Sequence, residues 1–223
     1  RSGAAGPVKG LLPGVLLLTL GASQVASQGR IAIDNPALIA TAQARQQLKY
    51  LASCALDPDT TLYGVQDGQT YEFPGGMGLA PAWSTRALTL AERRWVSACI
   101  LARTNAFGVS VQISMRATDT AFASLSATPD EINSHSLYEG AFYGDLFAEQ
   151  ATAFVCVGSN HASDQQARAR RQRVCTDVAQ DGSALTQCGF VQTGLCPTGS
   201  PPEVDGVTWP QVIHVWLAGN DPT

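Results

Sequence analysis

Apolar and polar positions follow two periods along this chain, and the clearest switch between them falls in residues 89–116. Trp95, Val96, Cys99, Ile100 and Ala102 recur at steps of three and four, which draws the stripe of an amphipathic helix. Thr89 and Glu92 have capping-box spacing, so each can satisfy an orphan N–H of the first turn. Asn105 and Gly108 tolerate left-handed backbone and predict where the helix stops. Val109, Val111, Ile113 and Met115 then alternate with Ser110, Gln112, Ser114 and Arg116, the period of a strand with one buried face. The pattern predicts a helix over 89–107 packed on a strand over 109–116.

Elsewhere the same reasoning gives weaker elements. Asn35-Pro36 is a helix start, and Leu38, Ile39, Ala42, Leu48, Leu51 and Ala52 carry helical spacing to Asp57-Pro58, predicting a helix over 36–55. Asp67-Gly68, set between two short runs rich in Tyr, Val and Thr, predicts a hairpin. Residues 75–83, GGMGLAPAW, read as a loop whose Leu79 and Trp83 plug the core. With neither GxxxxGK[ST] nor GxGxxG in the chain, the motifs of a phosphate cradle are missing and the core-plugging loop is the preferred reading. Thr128-Pro129-Asp130-Glu131 fits a short helix or a surface connection. Beyond it, residues 137–157 predict a strand–turn–strand around Gly144-Asp145, with Thr152–Val157 as a further strand. Ser163–Ala179 reads as a polar helix. Val212–Leu217, apolar on both sides, predicts a buried strand with Pro210 at its start. The expected fold is a single α+β domain over 28–223, with a Cys-rich part at 156–196. Its mixed, mostly antiparallel sheet joins the hairpin, Val109–Arg116, Thr152–Val157 and Val212–Leu217, covered on one face by the two main helices.

Composition adds a compartment. Charged residues make up 14% of the 223, well below the about 25% of an average domain, and the net charge is −4. No basic footprint for nucleic acid follows from that balance. Arg1 and Lys9 precede the apolar run LLPGVLLLTL and the small, polar GASQVASQG, the order of a secretory signal peptide over residues 1–27. The run is shorter than the about 20 residues of a membrane span, and a retained N-terminal anchor is the alternative. Export in turn favours disulfides among Cys54, Cys99, Cys156, Cys175, Cys188 and Cys196. The pairing expected is Cys54–Cys99 between the two helices, with the other four forming two bridges. No CxxC spacing suggests zinc or a redox site, and no other metal or cofactor motif is present.

Candidate chemistry is sparse. The chain has no GxSxG, HExxH or SxxK. His161 reads as a loop residue and His214 as a histidine of the buried strand. One constellation remains: His135, Glu139 and Asp145 as a catalytic group, beside Tyr138, Phe142 and Tyr143 as aromatic faces for a sugar ring. Two carboxylates near an apolar wall suit glycoside chemistry, one kept protonated and one ionised.

The set YEFPGGMGLAPAW, ERRWVSACILAR with NAFGVSV, EGAFYGDLF and CGF…GLC resembles a group of uncharacterised exported, Cys-containing proteins of Gram-negative soil bacteria, over most of residues 45–217. The resemblance implies export and disulfides and carries no activity, cofactor or site residue. The reading is an exported (periplasmic, outer-envelope or extracellular) binding or structural module. The partner expected is a glycan or an envelope protein. Membrane contact is open through the N-terminal segment or the Arg168–Arg173 cluster. The alternatives are a glycan hydrolase using Glu139 and Asp145, or an accessory subunit of a membrane complex anchored by residues 8–27.

Overall fold

The computed structural model describes residues 29–33, 35–104, 111–118, 122–159, 175–176, 186 and 188–218, and the backbone of 25–26. The expected leader (apart from 25–26), the stop at Asn105 and Gly108, His161, and the polar helix over 163–179 with its Arg168–Arg173 cluster lie outside these residues, except for 175–176.

The first sheet has four strands in chain order, β1 (Val25–Ala26), β2 (Arg30–Ala32), β3 (Thr61–Gln66) and β4 (Gln69–Pro74). β2 and β3 run parallel. β3 and β4 form the hairpin that Asp67-Gly68 predicts, with both turn residues at positive φ. The helix expected over 36–55 is broken in two. Asn35 accepts from the Ala37 N–H and caps a single 3-10 turn, Pro36–Leu38. Ile39 then leaves helical geometry, and Thr41 caps a new helix, α1 (Ala42–Ala55), by accepting from the Ala44 N–H. The following loop is held by backbone bonds from Gly76, Met77, Leu79 and Ala80 to the last turns of α1. This places Leu79 and Trp83 in the core, 1% and 2% exposed.

α2 (Leu90–Arg103) keeps its predicted start. Thr89 Oγ1 accepts from the Glu92 N–H, and the Glu92 carboxylate accepts from the Thr89 N–H at 2.8 Å. Arg86 grips the same carboxylate through both guanidinium nitrogens at 2.7 Å. That pairing, with the Thr89 bonds, holds the Glu92 pKa down at about 2.

The second sheet has five strands: β5 (Ile113–Arg116), β6 (Leu137–Asp145), β7 (Thr152–Val157), β8 (Val191–Leu195) and, after a small ribbon of β9 (Glu203–Val204) and β10 (Val207–Thr208), β11 (Ile213–Leu217). Their order is β5-β11-β6-β7-β8, antiparallel except for β7 with β8. A short helix, α3 (Pro129–Ser134), capped by Thr128, leads into β6.

Three expectations are corrected here. The strand expected over 109–116 begins, among the described residues, at Ile113. The turn expected at Gly144-Asp145 lies beyond both residues. A Cβ at Gly144 would stand 2.3 Å from the Thr152 carbonyl oxygen, so glycine lets β6 run on beside β7. The bend begins where Asp145 Oδ1 accepts from the Phe147 N–H at 3.0 Å. Finally, the hairpin does not join the main sheet. α1 packs on β4 and against α2, and α2 packs on β6 and β11, so the helices separate two sheets instead of covering one.

Cys54–Cys99 ties α1 to α2 inside this core, as expected, and the remaining bridges are Cys156–Cys196 and Cys175–Cys188. The main core lies on the α2 side of the five-stranded sheet and takes in Phe142, Val155, Ile213, Val215 and Leu217. A second, smaller cluster, Ala141, Tyr143, Cys156, Trp209 and Val212, lies on the opposite side.

Candidate functional site

The sheet face turned away from α2 is where polar chemistry and open space meet. β11 sets the arrangement, because it lies between β5 and β6 and brings His214 and Trp216 to this face, with Ile213, Val215 and Leu217 on the other. Across one edge, His214 pairs with Arg116 and Trp216 with Ser114. Across the other, His214 pairs with Ala141 and Trp216 with Tyr138.

The second pairing requires a shift of register. Val215 faces Gly140 while Trp216 faces Tyr138, so Glu139 is the inserted residue of a β-bulge. Strict alternation would send Tyr138 to the core side with Phe142. The bulge returns it to the side of His214, where its hydroxyl lies 2.7 Å from His214 Nδ1. Its ring stacks on Trp216, with centroids 4.8 Å apart. From the other flank the Arg116 guanidinium lies 4.3 Å over the same indole. Arg116 is itself fixed by Ser114 Oγ at 2.8 Å and the His135 carbonyl at 2.8 Å.

Burial pushes the Tyr138 phenol well above its usual range and the His214 imidazole below its own. Both groups are therefore neutral near pH 7. The neutral phenol and the neutral imidazole share one hydrogen bond, and the ring tautomer sets which of them donates.

Beside His214 a groove of about 410 Å³ opens, within the usual range for small-ligand sites. Its floor is Ala141, Val212 and His214. Its walls are Thr118, the Cys156–Cys196 bridge, Gly199, Ser200 and four prolines of the chain segments on either side of the small ribbon. The Cys156–Cys196 bridge fixes one end of that wall to β7. At the other end Trp209 packs on Phe154 and Tyr143 under the Arg94 guanidinium.

The sequence-predicted site residues are dispersed. Glu139 and Asp145 stand at two ends of β6. Six residues at about 3.3 Å each set their backbones about 20 Å apart, against about 5–9.5 Å between the carboxyls of a glycosidase pair. Asp145 is 4% exposed and forms a 2.8 Å ion pair with Arg93, anchoring the end of β6 to α2. Glu139 is 2% exposed, at the bulge. His135 caps the C-terminus of α3, with its Nδ1 3.0 Å from Ser134 Oγ. The carboxylate pair is corrected on this geometry. Phe142 and Tyr143 are fully buried, so neither offers a face to a sugar; the Tyr143 hydroxyl lies 2.6 Å from Thr193 Oγ1. Of the expected group only Tyr138 belongs to the new site.

Sequence reasoning missed Arg116, His214 and Trp216 as site residues. The available signal was the alternation of His214 and Trp216 within an otherwise apolar strand, which puts both on one side. Among the described residues no cluster of His, Cys, Asp or Glu could hold a metal ion, and no helix is long and apolar enough to cross a membrane. No protein-family model, curated protein or solved structure matches the chain.

Proposed function

We propose that this protein is an exported, disulfide-stabilised binding module, and that its ligand site is the groove beside His214. The observation that carries the reading is that groove: an open cleft whose floor is a sheet and whose wall is fixed by a disulfide and by prolines. A rigid concave site of this kind binds without first ordering itself, which removes a cost that flexible sites incur. Three disulfides suit an oxidising compartment, and the resemblance to exported proteins and the leader-like start point the same way.

The test is a fragment screen by ligand-observed NMR on the oxidised protein, with Ser200→Trp as the blocked form. Ser200 is exposed and lies on the groove wall, so an indole there fills the cleft without touching the core. The expected result is a set of hits whose signals vanish in Ser200→Trp while its melting temperature matches the parent. Hits indifferent to Ser200→Trp would sink the reading. Recovery of the native chain from its own cells with reduced cysteines would remove the exported part of it.

A further inference from the structure

We propose that the groove takes an uncharged, planar aromatic ligand, held by one acceptor atom on His214 Nε2–H, by a ring face against the prolines and by a ring edge at the disulfide. The assignment rests on the groove being the ligand site and names the chemistry that fits it.

The lining decides between ring types. Proteins hold saturated sugar rings largely by stacking them on aromatic faces, and among the described residues no Trp, Tyr or Phe lines this groove. The aromatic side chains nearest to it are already used. Trp216 is covered by Tyr138 from the β6 side and by Arg116 from the β5 side, so its two faces are taken. What the groove offers instead is the C–H surface of Pro197, Pro201, Pro202 and Pro210 and the sulfurs of Cys156–Cys196. The proline C–H groups are complementary to the electron-rich face of an aromatic ring, and the polarisable disulfide suits its electron-poor edge.

Charge and hydrogen bonding narrow the ligand further. Neither a carboxylate nor a Lys or Arg lines the groove among the described residues, so no charged group is there to compensate an ionised ligand. In the proposed complex Tyr138 is the donor to Nδ1; the imidazole then carries its N–H on Nε2, on the groove floor, where among the described residues no hydrogen-bond partner meets it. That N–H calls for a carbonyl, ether or ring-nitrogen acceptor in the plane of the ligand. Thr118 and Ser200 supply hydroxyls at the rim for a second polar substituent.

The test titrates the oxidised full chain with acetophenone, coumarin and 4-quinolone, with benzoate as the charged arm and methyl glucoside as the saturated-ring arm. Binding is followed by protein NMR, including the imidazole ¹⁵N resonances. His214→Phe and Tyr138→Phe serve as variants, the second keeping the ring and removing only the hydroxyl. The expected result is that at least one neutral aromatic shifts His214 Nε2 and the amides near Ser200, while benzoate and methyl glucoside bind at least tenfold more weakly. His214→Phe should weaken the aromatic about tenfold, the scale of one hydrogen bond. Tyr138→Phe, which frees the tautomer, should broaden the Nε2 signal and weaken binding less.

If methyl glucoside shifts the groove as strongly as the aromatics, the site stands and the aromatic assignment is overturned. If aromatics bind but neither Nε2 nor His214→Phe responds, the assignment is overturned as well. If no arm moves a groove resonance, the groove is not the site and both readings fall together.

Discussion

The two faces of the five-stranded sheet are built from the same strands and differ in what covers them. On the α2 side the cover is a helix, and Phe142, Val155, Ile213, Val215 and Leu217 are all within 2% of complete burial. On the other side the cover is an irregular tail that closes over Tyr143 and Val212 and stops short of Tyr138, His214 and Trp216. A helix presents a continuous apolar stripe and leaves no space. A proline-rich strap carries few apolar side chains, so it needs a covalent tie and leaves a cleft. On the proposed reading, stability and recognition are divided between the sides of one sheet.

The sharpest way to break this comparison is to remove one disulfide from each side. Cys54–Cys99 closes 45 residues and Cys156–Cys196 closes 40, so the loop-entropy argument predicts nearly the same loss, about 4 kcal/mol. Paired Cys→Ala variants followed by chemical denaturation should show that equality. Ligand capture should survive loss of the first and fail with the second, and equal effects on binding would dissolve the division.

Side-chain truncation gives the next effect. Phe142→Ala should cost roughly 3–4 kcal/mol, as expected for a fully buried ring in a packed core. Trp216→Ala, on the half-exposed face, should cost about 2 kcal/mol and loosen both Tyr138 and Arg116. A larger loss at Trp216 than at Phe142 would place the main core on the wrong side.

Acid separates the faces by mechanism. His214 has its folded pKa depressed by burial, so the unfolded chain takes up its proton first and stability falls as pH drops below about 6.5. Glu92 is depressed chiefly by Arg86, so its contribution is complete above about pH 4.5 and is lost as pH falls towards about 2. Melting curves should therefore show two acid phases, the upper one flattened in His214→Gln and the lower one in Glu92→Gln. The smallest effect is expected at Leu195, which is 69% exposed at the end of the edge strand β8. Leu195→Ser should stay within about 0.5 kcal/mol by denaturation and leave the groove unchanged.

What was legible in the sequence follows the range of the interaction that decides each feature. The capping box of Thr89 and Glu92 and the Asp67-Gly68 hairpin are settled within a few residues and appear as the pattern predicts. The pairing of Cys54 with Cys99 was also accessible, because each sits among the apolar positions of its own helix. The division into two sheets was not, since nothing local says that β3 finds β2 and β11 finds β5 and β6. The candidate site failed for a physical reason. Residues adjacent in a strand point to opposite sides and spread along its length, so the cluster from His135 to Asp145 is compact in sequence and scattered in space. Tyr138 joined His214 only because a bulge at Glu139 turned it to that face.

The position of β11 also bears on timing. The last described strand of the chain lies inside the sheet, as the shared neighbour of β5 and β6. β5 and β6 are not neighbours of each other, so both need residues 213–217 to join one sheet. The five-stranded sheet is therefore completed only once β11 is available, and the groove, whose floor includes Val212 and His214, does not exist before it. Under the proposed export, such an order would delay completion of the fold until the chain has crossed the membrane.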